Sequence, residues 1–95
     1  MAVIGVEGYG LYYGDVVAYD AAARTATVSG CRHVCRWYGG TGGITSLAAW
    51  GPCGPRAKES RIAEPCPRTE LTRVAAVHDC TQEAVSAFAA ISATR

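Results

Sequence analysis

Between Gly10 and Tyr38 the chain is almost wholly made of β-branched, aromatic and small residues, broken only by short polar or glycine signals. Such a run favours consecutive strands, because branched and aromatic side chains pack well on a pleated surface. Residues 2–7 read as a short first strand, closed by Gly8-Tyr9-Gly10. Residues 11–19 make a clearer second strand, with Leu11, Tyr13, Val17 and Tyr19 on one face and Tyr12, Val16 and Ala18 on the other. Both faces are apolar, which predicts a strand that is central or lies at a subunit contact. Residues 20–24 form a hairpin loop, residues 25–28 run back, and Ser29-Gly30 turns the chain into a strand over residues 31–38. Three or four consecutive antiparallel strands make a meander.

The rest of the chain changes character. Residues 39–43 are four glycines and a threonine, and they end all regularity. Residues 44–50 read as a short helix stopped by Gly51-Pro52. Residues 52–67 hold all four prolines and read as an extended surface loop. Residues 70–78 alternate as a final strand, with Leu71, Ala75 and Val77 facing one way. Thr81 is placed to cap a helix over residues 82–92, whose apolar stripe is Ala84, Val85, Phe88 and Ile91. The expected fold is α+β: an antiparallel meander sheet with a short middle helix and a C-terminal helix packed on one face. At 95 residues and 49% hydrophobic, the chain fits one domain over residues 1–95 and excludes a disordered polymer. A chain this small with so apolar a second strand is expected to form a homo-oligomer.

The five cysteines, Cys31, Cys35, Cys53, Cys66 and Cys80, are odd in number. Residues 1–7 have no basic n-region, so no secretory signal is expected; the thiols are expected to be free, and the location a cytoplasm. Zinc at Cys31, His33 and Cys35 fails on spacing. In a strand Cys31 and Cys35 lie about 13 Å apart, whereas one tetrahedral zinc needs its sulfurs within about 4 Å. No metal or other cofactor is expected. No stretch reaches the roughly 18 apolar residues of a membrane helix. The two histidines, His33 and His78, belong to no catalytic motif, so an enzyme is not expected.

Charge is uneven along the chain. Residues 31–73 hold seven basic against three acidic side chains, a net +4, while the remainder is net −3. That is too little for a duplex nucleic acid footprint but enough to attract a small anion. Alternation in the 31–38 strand puts Cys31, His33, Cys35 and Trp37 on one face, read as core. Arg32, Val34, Arg36 and Tyr38 share the other, read as solvent-directed. The glycine run is not a phosphate loop, since no lysine follows it. Backbone N–H groups left free near residues 41–45, guanidinium forks and an aromatic plane together favour a phosphate or planar base. The expected ligand-binding set is Arg32, Arg36, Tyr38, Gly40, Thr41 and Arg61.

The order of these features resembles a family of small proteins encoded by tailed phages and prophages. The matching residues are Cys31-Arg32 through Trp37-Tyr38-Gly39-Gly40, Ser46-Leu47 with Gly51, Leu71-Thr72, and Cys80-Thr81-Gln82-Glu83-Ala84, spread over about residues 10–92. The doubled glycine pair and the prolines and cysteines of residues 52–67 depart from the pattern. What the resemblance implies is a phage or prophage source and action by binding. One target is a small anionic ligand such as a cyclic nucleotide defence signal, sequestered from the host. Another is a host defence complex blocked directly, as anti-CRISPR proteins do; a third role is a minor virion or assembly component.

Overall fold

A strand buried along its whole length needs partners on both edges and cover on both faces. β1 (Ala2–Val6) is such a strand, every residue of it buried. In the computed structural model, which describes residues 1–94, it lies between β2 (Gly10–Asp20) and β6 (Val74–Asp79), antiparallel to both. β2 pairs in turn with β3 (Thr25–Arg36), so the expected meander is present as β1-β2-β3. The far edge of β3 is shared. Its first half carries β5 (Cys66–Leu71) and its end carries β4 (Arg61–Ala63). These six strands are antiparallel; the two-residue β7 (Ala93–Thr94) adds in parallel to β4. The fold is α+β, with α1 (Ile44–Trp50) in mid-chain and α2 (Gln82–Ala89) near the C-terminus.

β5 and β6 lie at opposite ends of this strand order, yet only Thr72 and Arg73 join them. So short a link requires the sheet to curl until its ends meet, as in a barrel. At the seam the Glu7 N–H donates to Arg73 O (3.0 Å) and the Val74 N–H to Arg24 O (2.9 Å). Arg24 and Arg73 both adopt positive φ there, and both reach Glu7, at 2.6 and 3.5 Å.

The curl divides the core into two layers. Inside it are Ala2, Ile4, Val6, Ala26, Val28, Cys31, Leu71 and Val74. On the outer face the two helices cover Val3, Tyr13, Val34 and Ile62 with Leu47, Ala48, Phe88 and Ile91. Phe88 is fully buried and stacks on Tyr13, ring centroids 3.8 Å apart. Thr81 caps α2 as expected, its Oγ1 accepting from the Ala84 N–H (3.1 Å), and its hydroxyl also donates to Ala49 O. Gly51 ends α1 with φ +67°, where a Cβ would lie 2.8 Å from that of Ala87, so glycine is what lets the helices meet.

Four expectations need correction. Ser29-Gly30 is not a turn: β3 runs through it as one 12-residue strand, Gly30 taking φ +60°. In its second half Cys31 is buried and Arg36 exposed as expected, but the residues between them exchange faces. Val34 packs under the helices and Arg32 is buried with it, whereas His33 is only half-buried and Cys35 is exposed. Alternation sorts a strand into two sets but does not say which set the helices cover. Residues 52–67 are no simple loop, since they contain β4, whose Ile62 is fully buried. The strand expected over residues 70–78 is broken at Thr72-Arg73 into β5 and β6, and Val74 rather than Ala75 is buried.

Candidate functional site

Past the end of β3 the chain has no ladder to hold it, so single hydrogen bonds position Tyr38. Its N–H donates to Ser60 Oγ (3.2 Å), and its carbonyl accepts from the Cys53 N–H (3.0 Å). The two bonds tie the 38–40 segment to the 53–60 segment. Between them lies an apolar cleft of about 340 Å³ lined by Tyr38, Gly39, Gly40, Cys53, Pro55 and Arg56. The Arg56 guanidinium lies 4.0 Å over the Tyr38 ring and forks onto Glu59, at 2.9 and 3.0 Å. That fork, with Arg36 nearby, holds the Glu59 carboxyl below the usual carboxylate range, and Glu59 in turn raises the Arg56 pKa.

Glu59 also borders a second cleft, of about 430 Å³, with Arg36, Lys58, Ser60 and Arg61 on its walls. Arg36 and Arg61 are direct partners across the β3–β4 ladder. Like charges directly opposite on neighbouring strands repel. Among the described residues neither arginine, nor Lys58, makes an ion pair or a side-chain hydrogen bond. The one carboxylate at hand, Glu59, is already engaged by Arg56. The result is a polar cleft whose three cations make no direct ion pair among the described residues, beside an apolar one with an aromatic wall. No group of three or more His, Cys, Asp or Glu among the described residues could hold a metal.

Residues 2–88, which include nearly all of both clefts, match the family model described as "Domain of unknown function (DUF6948)". The chain belongs to the DUF6948 family. No curated protein and no solved structure matches it.

The expected ligand set of this DUF6948 domain divides in three. Arg36 and Arg61 share the polar cleft, and Tyr38 and Gly40 share the apolar one. Thr41 is exposed and lines neither. Arg32 is a correction: 9% exposed, it faces inward, and its guanidinium donates to four backbone carbonyls. These are Ala63 O (2.8 Å), Phe88 O (3.2 Å), Ile91 O (3.3 Å) and Ile62 O (3.4 Å). Burial pushes its pKa down, with the neighbouring Tyr13 acting the other way. Arg32 ties β4 to the C-terminal end of α2 and the turn after it, where carbonyls at the negative end of the helix favour a cation.

The glycine run also does less than expected. The Gly42 N–H donates to Ser46 Oγ (3.0 Å) and is not free, and Gly43 precedes α1 as an N-cap without a side-chain hydrogen bond. Arg56 and Lys58, absent from the expected set, complete the two clefts. Their signal in the sequence is the basic 56–61 stretch, of which the expected set takes only Arg61. No helix among the described residues is long and apolar enough to cross a membrane.

Proposed function

We propose that this protein is a non-catalytic binding protein for a small anionic ligand of nucleotide type. The observation that carries the reading is the Arg36–Arg61 pair, two cations set opposite each other in a cleft whose described carboxylate, Glu59, is forked by Arg56. Such an arrangement disfavours the empty protein and favours one holding an anion. The phosphate sits among Arg36, Lys58 and Arg61. The base enters the apolar cleft beside Tyr38, Gly39 and Gly40. The resemblance to tailed-phage proteins supplies the setting: sequestration of a cyclic nucleotide defence signal in the host cytoplasm. We infer also that copies associate along β2, whose residues after Gly14 have no β1 partner and expose Val17 (60%) and Tyr19 (51%). The same exposed pair favours a second reading, direct binding to a host defence protein.

Calorimetry against a panel of cyclic mono-, di- and trinucleotides tests the first reading. Arg36→Ala or Arg61→Ala is expected to weaken binding by about ten- to a hundredfold, the loss of one charge-assisted contact of about 1.5–3 kcal/mol. Each substitution should also raise the stability of the empty protein by a few tenths of a kcal/mol, because it relieves the repulsion. No binding across the panel, or equal binding by both variants, overturns the reading. Capture of a host protein that is lost on changing Val17 and Tyr19 would then favour the second.

A further inference from the structure

Two of the free thiols stand on facing rungs of the sheet. Cys31 of β3 is the direct antiparallel partner of Cys66 of β5. Facing residues in an antiparallel pair have Cα atoms about 4.5–5.5 Å apart, inside the roughly 4.4–6.8 Å that a disulfide spans. We propose that Cys31 and Cys66 are a cross-strand dithiol that low-molecular-weight disulfides convert to an intramolecular disulfide.

The surroundings fit this chemistry. Cys66 is exposed, its thiol donating only to Arg68 O (3.6 Å), so a small disulfide reaches it from solvent. Cys31 is buried on the facing rung, beside the Thr69 side chain, where burial shields it from bulky reagents. Burial is the main cause that raises the Cys31 thiol, and charge on Cys66 acts in the same direction. The ladder is weak at this point. Between the Ser29–Arg68 and Cys31–Cys66 rungs lie Gly30, with positive φ, and Pro67, which has no N–H to give. The start of β5 therefore has little besides a covalent link to fix it.

The exchange balances in two steps. The Cys66 thiolate, its proton given to water, attacks one sulfur of the small disulfide; a mixed disulfide forms and one small thiol leaves. The Cys31 sulfur, losing its proton, then attacks Cys66 and expels the second small thiol. The dithiol is oxidised by two electrons and the small disulfide is reduced by two. The ring so closed contains residues 32–65, the segment that carries nearly all of both clefts. The link forms or fails whether or not any ligand binds at Arg36 and Arg61.

The test is equilibration of the full chain with mixtures of reduced and oxidised glutathione, followed by thiol counting and peptide mapping. From five thiols the native chain is expected to fall to three, with Cys31 joined to Cys66 and a raised unfolding midpoint. Cys35→Ser should still close the link. Cys66→Ser, a change at an exposed site that leaves the core intact, should keep Cys31 as a free thiol. The proposal is overturned if the native chain closes a different pair, acquires only mixed disulfides, or keeps all five thiols. Closure of Cys31 onto another cysteine in Cys66→Ser overturns it too.

Discussion

Replacing Arg32 with methionine keeps the apolar stem and deletes the guanidinium, which isolates what the buried charge contributes. Four carbonyls then lose a donor, three of them within 3.3 Å. Each hydrogen bond from a charged group contributes about 1.5–3 kcal/mol, and four of them would far exceed what one side chain delivers. Two effects reduce the sum. Removing the guanidinium also removes its own desolvation, and Phe88 O keeps a second donor in the Ile91 N–H (3.2 Å). The net expectation is a loss of about 2–4 kcal/mol, a large part of the roughly 5–15 kcal/mol of a typical domain. Urea unfolding followed by the fluorescence of Trp37, which packs against the helix-covered core, should show a lower midpoint with an unchanged slope. Arg32→Lys should recover less than half, since an ammonium cannot span four acceptors in a plane. A loss below about 0.5 kcal/mol in the methionine variant would refute the role given to Arg32.

Gly51→Ala is expected to cost about 2–4 kcal/mol in thermal or urea unfolding, from positive φ together with a Cβ pressed against Ala84 and Ala87. The Glu7 carboxyl is held below its ordinary value by the hydrogen bond from Arg24 and by the charges of Arg24 and Arg73. Its contribution is therefore complete above that ordinary value and is lost as pH falls through the lowered one. A plot of melting temperature against pH should be flatter on its acid side in Glu7→Gln. Sedimentation at micromolar concentration should show an oligomer that Val17→Asp reduces to monomer; a wild-type monomer would remove the association inferred along β2.

How far the sequence was readable depended on the range of the causes. The first helix, the start of the second and the Thr81 cap follow from signals within a few residues and stand where expected, while α2 ends at Ala89 instead of near residue 92. The faces of β3 depended on the end of α2 and the turn after it, more than fifty residues away, whose carbonyls draw Arg32 inward. Nothing near Arg32 announces them. Ile62 looked like one apolar residue in a loop because three residues are too few to display alternation. Arg36 and Arg61 were both expected at the ligand, but their face-to-face placement is a matter of register between distant strands. Arg56 was missed because its partner in the site, Tyr38, lies eighteen positions earlier.

The pairing of β1 with β6 sets the order in which the protein can assemble on the ribosome. Ala2 is registered against Asp79, and Val3 against His78. While the first three strands are being made, β1 has β2 on one side and nothing on the other. Its buried side chains, Ile4 and Val6 among them, then lack the wall that Leu71 and Val74 provide. The inner layer cannot close until Asp79 has left the exit tunnel, so folding is late and depends on contacts between distant residues, which makes it slow. In that interval the open side of β1 is a bare apolar strand edge, the kind that chaperones and other nascent chains capture. Polysome spacing and trigger-type chaperones should therefore matter more to the yield of this small protein than its size would lead one to expect.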